Sequence, residues 1–336
     1  MSTIKDVARI TGLSLGTISN FLNGKEIKKN NALLIEQAIR ELNYVPNKFG
    51  RFLRSGDTKT IGIITNDISA SFISKTSAIL ETELYRKGYE VFFCDSRGDL
   101  AIEANKLSFM IGHVVDVIIL FPSSFYDPNI GTYLHSNIPI ILCDEEVDNY
   151  QNYCHTVVYD NEQLAYDATN HFIANGHTQI ACVSGSKDHY STITRVKGYK
   201  RALQEHNLSI NENDIYFCNF SDELSYKATL KIISSSNNTA TLITANNMLV
   251  GFLRAAQERN CRIPHDMSYI TFADASYYDI LPVKPTYVFQ DTDKFGYVLF
   301  KLLEEILTAK DQKTPPKKCI APAYLVIGES VRNLKA

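Results

Sequence analysis

The sequence predicts an N-terminal all-α helix-turn-helix head joined to an α/β core of two doubly wound parallel-sheet lobes. Three observations predict it. The first 46 residues hold short helical patterns and no strand pattern, and residues from Thr60 onward alternate apolar runs with amphipathic segments. Those apolar runs, about ten in number, suit two sheets better than one. At 336 residues and 45% apolar content, the chain is long enough for more than one domain and apolar enough to build a core in each.

The head comes first. From Thr3-Ile4-Lys5-Asp6-Val7-Ala8 through Gly12 to Asn23-Gly24, the apolar residues Val7, Ala8, Leu13, Ile18 and Leu22 recur at helical spacing on two short segments. Gly12 supplies the tight turn between them, and Ser14 is placed to cap the second. Two short helices so joined form a helix-turn-helix, whose second helix enters the major groove of DNA. A third pattern over 31–43 puts Leu34, Ile35, Ala38, Ile39 and Leu42 on one face and closes a three-helix domain. Pro46-Asn47 then marks a break. The segment Asn47-Lys48-Phe49-Gly50-Arg51-Phe52-Leu53-Arg54 is basic and apolar at once, yet too short for a stable isolated helix. It reads as a linker that folds on a surface, and DNA is the obvious surface. The expected domains are a head over 1–46, a hinge over 47–57 and a core over 58–336.

In the core, strands are expected at 61–65, 90–94, 115–121, 139–143, 156–159, 180–184, 215–218, 241–244, 269–272 and 287–289. Helices are expected between many of them, over 72–87, 101–111, 162–175, 193–206, 224–233 and 248–259. A late helix over 292–307 and a terminal strand near 324–327 should cross back between the lobes. The first lobe then takes about 58–159 and 291–318, and the second about 160–290 and 319–336.

Charge sets the head apart. Residues 1–56 carry nine Lys or Arg against four acids, a net of +5 in a chain of −3, so the remainder holds −8. A basic head on an acidic body is the asymmetry of a protein whose head alone touches phosphates.

Composition also excludes functions. No apolar leader opens the chain and no run approaches the roughly 18 apolar residues of a membrane span, so a soluble cytoplasmic protein with no membrane partner is expected. The seven cysteines (94, 143, 154, 182, 218, 261 and 319) form an odd set without a Cys-x-x-Cys pair, and several sit in apolar runs. Free buried thiols are expected rather than disulfides or zinc ligands. The sequence has no Walker-type loop and no spaced His/Glu metal set, so no catalytic residue, cofactor or metal is expected.

Several motifs fall in a familiar order. They are the opening run with Thr17-Ile18-Ser19 and Leu22-Asn23-Gly24, Leu42 to Asn47, Thr58 to Ile64, Asp160-Asn161, Gly176-His177, Arg195 with Gly198-Tyr199, Ala245-Asn246, and Ile263-Pro264 with Asp266-Met267-Ser268. On these residues the chain resembles the lactose-repressor/galactose-repressor (LacI/GalR) family of transcriptional regulators over nearly its full length. The resemblance implies a homodimer, with a tetramer left open, whose two heads read a pseudopalindromic operator in double-stranded DNA. It also implies a periplasmic-binding-protein-like core that senses a small-molecule effector, a sugar or related metabolite. The implied output is repression. A cytoplasmic solute-binding protein without a DNA role is the alternative, and the basic head argues against it.

In the family pattern the start of the second helix reads bases, at positions filled here by Leu15, Gly16 and Asn20. Leu15 suits a thymine methyl, Asn20 suits the N6/N7 edge of adenine, and Gly16 offers no side chain. Relatives often carry Arg at position 20, so Asn20 implies an altered half-site. Ser14, Thr17 and Ser19 serve phosphate contacts or caps, and Thr3, Asn23, Asn47 and Arg51 complete the candidate DNA residues with the two hinge positions that follow. Leu53 matches the family's minor-groove wedge. Gly50 replaces the family's usual alanine, which makes the hinge harder to order.

Ligands of doubly wound sheets bind at the carboxyl ends of strands. Phe72 and Phe220 occupy family ligand positions there and read either as pocket walls or as core. Arg195 matches the arginine that binds effector polar atoms, and Asn246 matches another ligand. Asp67 and Ser71 belong to the pocket floor, where Ala70-Ser71 replaces the common Asn-Pro. Ser191, with His189 and Tyr190, adds candidate contacts. Ala273 takes the place of the family's first acid, so either Asp274 shifts inward or the ligand is not a typical hexose.

Overall fold

The structure is a computed structural model, and it describes residues 2–22, 24–45, 58–113, 115–136, 138–235, 239–273, 278, 280–309 and 314–335. The chain divides into two compact units, Met1–Thr58 and Lys59–Ala336.

The first unit holds helices α1 (Ile4–Thr11), α2 (Leu15–Leu22) and α3 (Lys29–Leu42). At the start of α1 the Asp6 carboxylate accepts from the Thr3 backbone N–H at 2.9 Å and the Thr3 hydroxyl at 2.8 Å. Gly12 ends α1 in the left-handed region, at φ +67, and its N–H closes onto the Ala8 carbonyl. The Ser14 hydroxyl accepts the Thr17 N–H at 3.2 Å and so caps α2. Val7, Ile18, Ile35 and Ala38 meet in the core, joined by Tyr44, which the helical periodicity did not include. Leu34 is 48% exposed, contrary to the expected stripe. The inward face of α3 is narrower and is led by Ile35 and Ala38.

The second unit opens with β1 (Thr60–Thr65), α4 (Ser71–Arg86), β2 (Glu90–Asp95), α5 (Leu100–Gly112), β3 (Val117–Leu120), α6 (Ile130–Tyr133), β4 (Ile140–Cys143) and β5 (His155–Val158). It continues through α7 (Asn161–Ala174), β6 (Ile180–Ser184), α8 (Tyr190–Glu205), β7 (Ile215–Phe217), α9 (Asp222–Ser235), β8 (Ala240–Ile243), α10 (Asn246–Glu258), β9 (Ser268–Ala273) and β10 (Thr286–Gln290). Last come α11 (Thr292–Ala309), β11 (Lys318–Ile320) and β12 (Ala323–Val326).

These strands form two six-stranded sheets, ordered β11-β5-β4-β3-β1-β2 and β12-β10-β9-β8-β6-β7. The central strands β3, β4 and β8 are buried along their whole length, as parallel strands covered on both faces require. One pairing departs from the parallel expectation: β12 runs antiparallel to β10. In each sheet the order reverses beside the first strand, between β1 and β3 and between β6 and β8. Crevices for ligands open at the carboxyl ends of strands at such reversals.

The chain passes between the sheets after β5, after β10 and after β11. Cys319 and Ile320, expected in the second lobe, pair instead with Val157 and Val158 of β5 in the first. Their strand is three residues long and gains its identity only from that pairing. Close helix packing supports the second sheet: a Cβ at Gly198 of α8 would stand 2.0 Å from the Glu162 carbonyl oxygen of α7, so no larger residue fits. The seven cysteines are free, and Cys143, Cys154, Cys182 and Cys218 are buried. Among the described residues no helix is long and apolar enough to cross a membrane.

Candidate functional site

Helix α2 presents the face that the sequence singles out. Leu15 is 44% exposed, Gly16 and Asn20 are exposed, and Ser19 is half-buried. At 100° per residue these four positions span an arc of about 140°, while Ile18 points into the core. A Cβ at Gly16 would find its nearest neighbour, the Ser14 hydroxyl, at 3.8 Å, so the surface there is open rather than packed. Ser14 is committed to its cap and shares a 3.0 Å hydroxyl contact with Thr17. Thr3 is bound to Asp6. Asn23, Asn47, Gly50, Arg51 and Leu53 lie outside the described residues.

The core unit contains a cavity of about 810 Å³ at the carboxyl ends of its strands. The first sheet contributes Asp67 after β1, Ser71 and Phe72 at the start of α4, and Cys143 to Glu145 at the end of β4. The second contributes Ser191 and Arg195 from α8, Phe220 after β7, Asn246 at the start of α10 and Ala273 at the end of β9. Seven sequence candidates thus meet around one space, although they are scattered over 180 positions from Asp67 to Asn246. Asp274 lies outside the described residues.

Arg195 is buried. Its Nε donates to the Asn161 side-chain oxygen at 2.9 Å, its guanidinium also donates to the Thr244 carbonyl, and the group stacks 4.4 Å from the Phe272 ring. Phe72 is both wall and core, with its ring 4.9 Å from that of Phe295 and 6.0 Å from that of Tyr159. Phe220 sits edge-on to His189 at 5.1 Å and covers Gly185, where a Cβ would come within 2.3 Å of the ring. The Asp67 carboxylate accepts from the Ser69 N–H and hydroxyl, at 2.9 and 2.6 Å. The Asn246 side-chain oxygen accepts the Tyr278 hydroxyl at 2.9 Å.

Among the lining residues that were not foreseen are two adjacent acids, Asp144 and Glu145. Asp144 follows β4 at φ +63, and one of its carboxyl oxygens is enclosed with no hydrogen-bond partner among the described residues. Burial, with the neighbouring Glu145 charge adding to it, pushes its pKa up to about 7 despite Arg195 and His189. Glu145 accepts the Ser191 N–H at 3.2 Å and the Ser191 hydroxyl. Burial opposes a charge on His189, but Glu145, Asp188 and Asp144 outweigh it and raise the imidazole pKa. Beside this contact, Lys318 bridges Glu146 and the Tyr190 hydroxyl, and the Phe125 N–H donates to the Asp188 carbonyl at 2.6 Å. The two lobes are therefore tied along one rim of the cavity. The signal was present in sequence as three consecutive acids, Asp144-Glu145-Glu146, directly after an apolar strand. Among the described residues no group of three His, Cys, Asp or Glu side chains is placed to hold a metal ion.

Comparison with known proteins bears on both units. Residues 3–47 match the family described as bacterial regulatory proteins, lacI family, and residues 169–331 match a periplasmic binding protein-like domain. The chain is 30% identical over 317 residues to the HTH-type transcriptional repressor PurR of Vibrio atlanticus, covering 93% of this chain and 94% of that protein. It is 28% identical over 342 residues to PurR of Haemophilus influenzae, covering 99% and 100%. Among solved structures it resembles the lac repressor dimer bound to operator and the anti-inducer ONPF, with a TM-score of 0.84, 20% identity and coverage of 98% and 99%. It also resembles the transcriptional regulator CelR in its cellobiose complex, with a TM-score of 0.74, 22% identity and coverage of 98% and 100%. At these identities the structural likeness concerns the fold.

Proposed function

The chain belongs to the lacI family of bacterial regulatory proteins, and from that premise we propose that it is a cytoplasmic transcriptional repressor whose hold on operator DNA is set by a small molecule bound in the core cavity. The observation that carries this reading is the pairing of two features in one chain. An exposed α2 face, Leu15, Gly16 and Asn20, is free of core duties, and a cleft-like cavity collects polar side chains from both sheets. Regulation requires only that the effector bind two states of the core unequally.

Homodimerisation is part of the proposal. The edge strand β2 exposes Phe92 and Phe93, and Tyr85 on α4 is 73% exposed, an apolar surface that a second copy would cover. Two heads so joined would read a pseudopalindrome. We assign base contacts to Leu15 and Asn20, phosphate contacts to the Thr17 and Ser19 region, and the minor-groove wedge to Leu53. Effector contacts are assigned to Asp67, Ser71, Phe72, Ser191, Arg195, Phe220 and Asn246, with Asp274 as a further candidate. A cavity of this size, which combines polar side chains with the rings of Phe72 and Phe220, suits a ring-bearing metabolite such as a sugar or nucleoside. No catalytic role is assigned to any residue.

The test is selection of bound sequences from a random duplex pool, followed by gel shifts of the selected sequence across a salt series. The full chain should enrich a two-fold symmetric site and lose affinity steeply as salt rises. A chain lacking residues 1–58 should lose that binding; specific binding that survives the deletion would overturn the reading.

A further inference from the structure

Glu145, in the first lobe, caps a helix of the second. Helix α8 begins at Tyr190, and the preceding His189 supplies no side-chain cap. The N–H of Ser191, in the first turn, donates instead to one Glu145 oxygen at 3.2 Å, the Ser191 hydroxyl donates to the other oxygen, and the His189 Nδ1 stands 3.6 Å away. Glu145 is 4% exposed and Ser191 3%. A backbone N–H at a helix start, a hydroxyl and an imidazole converging on one point make an anion-binding site. Here a carboxylate of the chain itself fills that point, and all three residues line the cavity.

We infer that Glu145 is an internal anion that closes this subsite, so that the cavity rejects phosphorylated and carboxylated metabolites and takes uncharged or cationic ones. The inference rests on the effector role proposed for the cavity and adds to it the charge class of the ligand. Neighbouring groups act in the same direction. Asp144 sets a second carboxyl beside Glu145, with an oxygen that no described residue satisfies. Arg195, the cation an anion would otherwise reach, already donates to Asn161 and to the Thr244 carbonyl. Arg97 also lines the cavity, but on the first-lobe side beside Asp95, whose carboxylate accepts its backbone N–H. An anion entering the subsite would have to displace Glu145 and leave that carboxylate buried without partners, a cost that a neutral ligand avoids.

The experiment titrates inorganic phosphate, against chloride at matched ionic strength, into the full chain and into Glu145→Ala and Glu145→Gln, with calorimetry as the readout. Glu145→Gln keeps an acceptor for the Ser191 N–H and so guards against a misfolded alanine variant, with circular dichroism confirming the fold. Wild type should show no phosphate binding beyond chloride, and the folded variants should bind phosphate at least tenfold more tightly. Adding Ser191→Ala to Glu145→Gln should abolish the gain. Phosphate binding to wild type equal to that of the variants, no gain in a folded variant, or a gain that survives Ser191→Ala would each overturn the inference. The titration involves no DNA. A failed gain with operator binding intact removes only the charge selectivity, whereas loss of specific operator binding by the full chain removes the regulatory reading.

Discussion

The Nε of Arg195 stands 2.9 Å from the side-chain oxygen of Asn161, so the arginine that lines the core cavity also ties the start of α7 to α8. Its removal strands two buried acceptors, the Asn161 oxygen and the Thr244 carbonyl, at about 1–3 kcal/mol each. Arg195→Ala should therefore lower the unfolding free energy in urea by roughly 2–4 kcal/mol, where an ordinary surface substitution stays within about 0.5 kcal/mol. A variant as stable as wild type would show that the strut does not matter. Because the variant is destabilised before any ligand is added, its effector affinity has to be read by calorimetry and not from a melting temperature.

The exposed face of α2 makes a prediction of the opposite kind, with binding changed and folding spared. Asn20→Ala should weaken binding to the selected operator by about 1–3 kcal/mol and relax base preference at one position per half-site. The melting of the head should not fall, since Asn20 is exposed and alanine is the better helix former. Gly16→Ala has room for its methyl group and should stabilise the head by up to about 1 kcal/mol through helix propensity. Competition gel shifts and thermal melts separate the two effects. A Gly16→Ala head that melts earlier would contradict the open surface.

Much of this organisation was legible in the sequence, for identifiable reasons. β1 and β6 are apolar runs bounded by polar residues, and α1 and α2 are punctuated by Gly12 and Ser14, whose cap and turn chemistry is local. β11 was missed because Lys318-Cys319-Ile320 is short and half-exposed, and becomes a strand only by pairing with β5, which is over 150 positions away. Leu34 was misplaced because a helical stripe does not say how wide the facing surface is. At the site, Arg195 and Asn246 stood out by motif, but the Glu145–Ser191 contact joins residues 46 positions apart in different lobes and has no periodic signature. Rotamer and lobe packing decide it, and neither can be read from residue order.

Glu103 on α5 gives a pH prediction. It is buried, and one carboxyl oxygen accepts the Ser123 N–H at 2.8 Å and the Ser123 hydroxyl at 2.6 Å. Its other oxygen and one oxygen of Asp127 are buried without a separate partner, which a single shared proton satisfies. Burial, and after it the contact with Asp127, pushes Glu103 up to about 8. The folded state thus holds a proton that the unfolded chain releases near its ordinary value. The stabilisation is full below about 4.5 and is lost as pH rises through about 8, with a slope of at most about 1.4 kcal/mol per pH unit. Asp144, raised to about 7, works in the same direction. Urea unfolding at pH 6 and pH 8 should show wild type weaker at pH 8 and Glu103→Gln with a smaller difference. Equal pH slopes in the two proteins would rule out the shared proton.

The last prediction concerns Gly50, which lies outside the described residues and is argued from sequence alone. The hinge segment is basic and apolar, and a helix there has to form on DNA against the backbone entropy of a glycine, about 1 kcal/mol relative to alanine. Gly50→Ala lowers that cost without adding a contact to any base. Operator affinity should therefore rise by about fivefold per hinge, with the same selected sequence and the same salt slope, because the number of phosphates neutralised does not change. A steeper salt slope would mean that new phosphate contacts, not easier ordering, had raised the affinity. An unchanged or weaker affinity would mean that the hinge does not fold as a helix on the operator, and the switch would then have to act on the heads by another route.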